Sequence, residues 1–165
     1  VYKRQGYDRL TIEGIAKEAG VGKQTIYRWW PSRGALIGEC LAEGRLIPVD
    51  FVVPDTGDLA ADVETWLRSV LSILEAPEGG ALLRSLVAAA TEDAGVGAHL
   101  GDSLGVEKYL TERLRGGIRD GQLAEEAPVE QLGRAILGAI IVESLGREHH
   151  DPDSIVRLTR FFFSR

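Results

Sequence analysis

The 165-residue sequence contains no methionine, a single cysteine and no long apolar run. Each absence excludes something. No stretch approaches the roughly 18 apolar residues that cross a bilayer, so no membrane partner is expected. No basic segment followed by an apolar stretch opens the chain, which removes a secretory leader. Cys40 alone cannot form an intrachain disulfide and fits a reducing, cytoplasmic compartment. The start at Val1 without any methionine is expected of a chain truncated at its N-terminus. Chemistry-bearing residues are equally sparse. His99, His149 and His150 have no partners at metal-ligand spacing, and no histidine stands near Cys40 in sequence. The glycines of GVGAHLG do not follow a strand, as a phosphate-cradling loop would require. Carboxylates are plentiful, but none pair on an otherwise apolar helical face. The sequence reads as a non-enzyme and calls for no metal or cofactor.

Charge is unevenly spread. The net charge is −6, yet residues 1–47 carry +3 and the remainder −9. A basic head on an acidic body suits a module that binds a polyanion and a second part that does not; chance clustering is the plain alternative. One gap is sharper than the totals. No acid occurs between Val21 and Glu39, a segment holding Lys23, Arg28 and Arg33.

Helical periodicity recurs along the chain and no long stretch alternates with period two, so the expected fold class is all-α. TIEGIAKEA has Thr11 as N-cap, an Ile12, Ile15, Ala16, Ala19 stripe, and Gly20 to end it. A short helix over 23–30 is broken by Pro31-Ser32, and a third runs from Ser32 through Leu36, Ile37, Cys40 and Leu41. The Pro-, Asp- and Gly-rich segment 48–58 reads as a domain boundary, giving domains 1–47 and 48–165. Beyond it, Asp58 can cap a helix striped with Leu59, Val63, Trp66, Leu67, Val70, Leu71 and Leu74. Pro77 opens another that carries Leu82, Leu83, Leu86 and Val87. Residues 94–105, rich in glycine, are expected to be broken or only briefly helical. A helix over 106–120 ends at Gly121, and two more span 128–146 and 152–164, opened by Pro128 and Pro152.

The first two helices meet the steric demands of a helix-turn-helix. Ala16 is small where the second helix crosses the first, and Gly20 tolerates positive φ in the turn. Val21 fills the inside of the turn, and Ile26 plugs the angle between the helices. An ordinary helical hairpin satisfies the same spacing, so the second helix has to decide. At about 100° per residue, Ile26 and Trp30 share one side. Gln24 and Arg28 point the opposite way, flanked by Lys23, Thr25 and Tyr27. Such a face combines phosphate donors with groups that read base edges. Trp29 lies at its rim, facing either a preceding helix or DNA.

Residues 6–37, GYDRLTIEGIAKEAGVGKQTIYRWWPSRGALI, resemble the N-terminal DNA-binding domain of TetR-type (TetR/AcrR) transcriptional regulators. The matching features are Gly6-Tyr7, Thr11, Ile15-Ala16, Ala19-Gly20-Val21, Thr25-Ile26-Tyr27, Ser32-Arg33 and Leu36. The resemblance implies that Lys23, Gln24, Thr25, Tyr27, Arg28 and Trp29 line a recognition helix on double-stranded DNA. Thr25 and Tyr27 would mainly contact phosphates. Thr11 and Arg33 would supply further phosphate contacts from helix N-termini. Two departures stand out. Gly22 replaces a capping serine, at a cost of about 0.5 kcal/mol. Only VYKRQ precedes Gly6, where the family has a full first helix, so a chain extended at that end is expected to bind DNA more tightly.

The family further implies a C-terminal helical domain that binds a small-molecule inducer and dimerises. By position, Trp66, Val70, Leu82, Leu86, His99, Tyr109 and Arg113 are the ligand candidates, although the apolar ones suit a plain core and His99 and Arg113 suit a solvated surface. Leu137, Ile140, Ile141, Leu145, Leu158, Phe161 and Phe162 are the candidates for a homodimer interface, with Gly133 and Gly138 allowing close approach. A two-fold dimer suits a palindromic operator. The expected function is a ligand-responsive DNA-binding regulator released from its operator by a small molecule. The alternative is a small-molecule-binding or interaction dimer with a vestigial DNA module.

Overall fold

The computed structural model describes residues 11–47, 51–145 and 153–163, without the side chains of Pro77, Glu78, Glu107, Leu158 and Phe161. The expected Gly6-Tyr7 turn, the truncated first helix, Pro152 and the His149-His150 pair lie outside the described residues. Those residues form helices and no strand. The first three are α1 (Ile12–Ala19), α2 (Lys23–Trp29) and α3 (Arg33–Ala42). Then come α4 (Leu59–Glu75), α5 (Pro77–Glu92) and α6 (Ala94–Ser103). A π-helical turn, Val106–Leu110, leads into α7 (Thr111–Arg119), followed by α8 (Val129–Leu145) and α9 (Asp153–Phe163).

Local chemistry explains most boundaries. Thr11 Oγ1 accepts from Gly14 N at 3.0 Å and Asp58 Oδ1 from Ala61 N at 3.0 Å, so both act as N-caps. Gly20 closes α1 at φ 68°, with Val21 N donating to Ala16 O at 3.0 Å. That turn uses the Val21 amide and turns its side chain outward. Val21 is exposed, not lodged inside the turn, and Ala19 at the last position of α1 is exposed too.

Two apolar clusters hold the chain. The smaller consists of Ile12, Ala16 and Ile26, with Ile15, Trp30 and Leu36 packed against it. The larger gathers Ile37, Leu41 and Leu46 with α4 to α9. Ile15 touches both. Helix α3 therefore sits with Leu36 toward the small cluster and Ile37 and Leu41 in the large one. The segment expected to be a boundary also contributes to the core: Phe51 and Val53 are buried. In α4 the expected stripe is buried from Leu59 to Leu71, and Leu74 is half-buried.

Residues 94–105 depart from expectation, since α6 is a continuous helix of ten residues. Asp93 caps it, its Oδ1 accepting from Gly95 N at 2.9 Å, while Val96 and Leu100 are buried. Here glycine serves proximity. A Cβ on Gly38 of α3 would already stand 3.4 Å from the Gly95 backbone. Burial and close packing outweigh the low helix propensity of glycine. The helix expected over 106–120 opens instead with the π turn. Gly105, at φ 76°, accepts from both Tyr109 N and Leu110 N at 3.0 Å.

Two polar links tie distant elements. Arg160 of α9 grips Glu64 of α4 with two hydrogen bonds of 2.7 Å, and Arg68 adds a third at 3.0 Å. The Arg160 and Arg68 hydrogen bonds hold the Glu64 carboxyl down at about 2, well below its ordinary 4.5. Inside the molecule, Arg113 of α7 donates through Nε to Asp62 Oδ2 at 2.9 Å, and Thr56 Oγ1 donates to Asp62 Oδ1 at 2.7 Å. Burial alone would raise the Asp62 pKa. The Thr56 and Arg113 hydrogen bonds outweigh it and keep the carboxyl below its ordinary value.

Candidate nucleic-acid interface and regulatory cavity

Helix α2 is seven residues long, too short to persist alone. Its stability comes from Ile26, buried against Ile12 and Ala16. Trp30, expected in the core, is half-buried, and its indole Nε1 donates to Glu39 Oε2 at 2.8 Å. The aromatic anchor therefore also ties α2 to α3. With Ile26 fixed inward, Lys23, Gln24, Thr25, Tyr27, Arg28 and Trp29 are all exposed. Trp29 is 72% exposed. Gly22 at the N-cap offers no side-chain bond to the helix.

The acid-free stretch does receive an acid, from another helix. Glu13 of α1 forms an ion pair with Lys23, whose ammonium also lies 5.6 Å from the Tyr27 ring centroid. The hydrogen bond from Lys23 holds the Glu13 carboxyl below its ordinary value, and the same bond raises Lys23. Sequence spacing gave no sign of this, because the partners are ten residues apart across a turn. Arg33 departs further. Its Nη2 donates to Glu92 Oε2 at 3.1 Å, so it is paired with the end of α5. Thr11 is exposed, and its Oγ1 caps α1 by accepting from the Gly14 N–H, which leaves the O–H able to donate.

Beside a small hollow of about 30 Å³ between α8 and α9, two concave features lie among the described residues of the larger cluster. One, of about 230 Å³, is open and partly charged, with Glu75, Arg84 and Glu143 around Leu71 and Ile140. The other, of about 80 Å³, is lined by apolar side chains among the described residues. Leu46, Ile47 and Phe51 form one wall, Leu74 and Leu82 another, and Leu104 the third. No group of three or more His, Cys, Asp or Glu among the described residues could hold a metal ion. No helix among them is long and apolar enough to cross a membrane.

This arrangement of helices has known counterparts. Residues 1–40 match the family described as bacterial regulatory proteins, tetR family. Residues 53–161 match the tetracyclin repressor-like C-terminal domain. The chain belongs to the TetR family. It is 30% identical over 162 residues to YdeS of Bacillus subtilis (strain 168), an uncharacterized HTH-type transcriptional regulator, across 93% of this chain and 77% of YdeS. A second HTH-type regulator, Rv1556 of Mycobacterium tuberculosis (strain ATCC 25618 / H37Rv), is 41% identical over 61 residues, or 37% of this chain and 29% of Rv1556. The crystal structure of the TetR family transcription regulator SCO0332 superposes with a TM-score of 0.70 at 28% identity. It covers 98% of this chain and 90% of that one.

As a TetR-family regulator the protein is an all-α helix-turn-helix transcriptional regulator, and its ligand candidates differ in burial. Trp66, Val70 and Leu86 are fully buried core residues, and Trp66 Nε1 is buried without a hydrogen-bond partner. His99 and Tyr109 are half-buried. Arg113, expected to suit a solvated surface, is only 6% exposed because Asp62 neutralises it inside. Only Leu82 lines the apolar cavity. Its other lining residues, among them Leu46, Ile47, Phe51, Leu74 and Leu104, are ordinary core types, and no sequence signal separates them from packing.

The dimer candidates of this TetR-family regulator also divide. Ile140 is fully buried within the chain, while Leu137 is half-buried and lies near Gly101 of α6. Ile141 is half-buried in the larger cluster. Leu145 and Phe162 are exposed, and the side chains of Leu158 and Phe161 lie outside the described residues. Val142, three residues before Leu145 on α8, is 69% exposed. A Cβ on Gly138 would meet open space, whereas Gly133 brings α8 against Val106 and Thr111 within the same chain.

Proposed function

We propose that the protein is a ligand-responsive repressor that binds an inverted-repeat operator as a homodimer and leaves it when a small molecule occupies the C-terminal helices. One observation carries the DNA reading: Ile26 is buried while Gln24 and Arg28, on the opposite side, and the flanking Lys23, Thr25 and Tyr27 are all exposed. In a major groove, Gln24 and Arg28 would reach base edges and Lys23, Thr25 and Tyr27 would hold phosphates. Val142, Leu145 and Phe162, large apolar groups exposed on the last two helices, support a paired copy. On this reading residues 1–47 carry DNA binding and 48–165 carry regulation and pairing, with α3 spanning both.

The ligand response would be a population shift. A molecule that fits one arrangement of α3 better than another favours that arrangement, and with it one spacing of the two α2 helices. The test is binding of the protein to the inverted repeats in DNA flanking its own coding region, measured over a salt series. Specific binding that falls steeply with salt supports the reading through counterion release. No preference for any such repeat over random duplex sinks it and favours a dimer with a vestigial DNA module.

A further inference from the structure

Helix α2 has no acid of its own, and Glu13 of α1 supplies one to its first turn. Ile12 and Ala16 of α1 are buried against Ile26 of α2, so the roll of each helix is fixed relative to the other. Glu13, second residue of α1, therefore emerges beside Lys23, first residue of α2. Their side chains pair while remaining 61% and 49% exposed. An exposed pair of this kind adds little stability, because water and salt screen it. Its place on the surface matters more. A carboxylate at the edge of a DNA-facing helix repels phosphates, and so weakens binding to every sequence unless a base offers it a hydrogen-bond donor.

We propose that Glu13 is a specificity-determining residue that selects a cytosine in each half of the operator through the cytosine N4 amino group. The proposal rests on the DNA-binding reading and adds a base contact made from α1. When the exposed face of α2 meets a duplex, phosphate competes with Glu13 for the Lys23 ammonium. The pair opens readily, since both partners are exposed. Lys23 holds the Glu13 carboxyl below its ordinary value, so the group is ionised at neutral pH. An ionised carboxylate has acceptors alone. In the major groove guanine shows two acceptors, and thymine shows an acceptor and a methyl group. Adenine sets the N7 acceptor beside its N6 donor. Cytosine presents a donor with no acceptor of its own, and it is the base that compensates a bare carboxylate.

The test is selection of a random-sequence duplex library by the full chain, which gives the base preference at each position of the bound sequences. The unaltered protein should enrich an inverted repeat with a C·G pair at one position of each half-site, preferred about tenfold over the other pairs. Glu13→Ala should erase that preference and leave the other positions as they were. Glu13→Gln should move it toward adenine, because an amide both accepts from N6 and donates to N7. Glu18→Gln removes the same charge from another exposed position of α1 and should change no preference. Thermal melts verify that each variant is folded. A motif shared unchanged by the unaltered protein and both Glu13 variants would overturn the proposal while leaving the operator reading intact. An equal change from Glu18→Gln would also overturn it, as an effect of charge alone. Enrichment of no motif by the unaltered protein would overturn the operator reading, and the proposal with it.

Discussion

Ser32 Oγ donates to Asp93 Oδ2 at 3.0 Å, joining two residues 61 positions apart that each cap a helix. Ser32 Oγ accepts from Ala35 N at 2.9 Å to start α3, and Asp93 Oδ1 accepts from Gly95 N at 2.9 Å to start α6. The two N-termini are thus pinned cap to cap, beside the Arg33–Glu92 pair. Any displacement of α6 is carried to the first residue of α3.

Gly34 makes that junction possible. A Cβ at this position would lie 2.3 Å from Asp93 Cβ. In an isolated helix Gly→Ala would stabilise by about 1 kcal/mol. Here the clash is with a rigid atom close to the backbone, and overpacking of this kind costs ~1–3 kcal/mol. Gly34→Ala should therefore lower the urea midpoint with m unchanged. Asp93→Ala should cost about 1 kcal/mol for the lost cap. A gain in stability for Gly34→Ala would show that α3 and α6 can separate freely.

Removing positive charge from α2 should separate binding from folding. Lys23→Ala and Arg28→Ala should weaken operator binding, with the salt slope falling by about 1 for each phosphate left without its cation. Both residues are exposed, so thermal stability should stay within about 0.5 kcal/mol. Glu13→Gln should act the opposite way, because Lys23 would no longer leave an ion pair to reach a phosphate. Titrations of labelled operator at several salt concentrations check all three. Tighter binding by Lys23→Ala would remove Lys23 from the interface.

The Glu64–Arg160 bond predicts an acid-sensitive tie between α4 and α9. The Glu64 pKa is depressed in the folded protein to about 2 from an ordinary 4.5. A depressed carboxyl contributes stability above its unfolded pKa and loses it as pH falls toward the folded value. The loss should therefore run from about pH 4.5 down to about 2. In Glu64→Gln the Tm should be lower at neutral pH and its decline across that window shallower. Thermal melts from pH 7 to 2 measure this, and parallel profiles would mean that Arg160 does not hold Glu64 in solution.

The buried Asp62–Arg113 pair should be costly to break and cheap to replace. Arg113→Met leaves the Asp62 carboxylate, 1% exposed, without its cation. Losing one member of a buried pair costs about 3–5 kcal/mol. The double change Asp62→Leu with Arg113→Met removes both charges and should recover most of that loss. Urea denaturation of the two single variants and the double decides whether the pair couples, and additive losses would show that it does not.

Pairing through the last helices should fail when their exposed apolar groups become charged. Val142→Glu and Phe162→Glu place a charge at positions 69% and 51% exposed in the single chain, so the fold should persist. Sedimentation should then give a monomer where the unaltered protein gives a dimer, with operator affinity lost in parallel. A monomeric mass for the unaltered chain would shift pairing away from these helices.

Where local rules act, the sequence by itself was sufficient. Thr11, Gly20 and Asp58 bound their helices because capping depends on neighbours within a turn. The exposed face of α2 followed from helical geometry once Ile26 was placed inward. Only tertiary structure decided the rest, because each remaining feature depends on what a distant segment brings. Residues 94–105 looked too rich in glycine for a helix, yet α3 packs so closely that small residues there are what allow it. The Arg33–Glu92 pair is invisible along the chain, and Arg113 reads as solvated until Asp62 meets it. Leu46, Ile47 and Phe51 are indistinguishable from core residues along the chain, because a cavity is a property of facing walls and no single residue encodes it. Periodicity names the side a residue faces; the partner that fills that side is set by the fold.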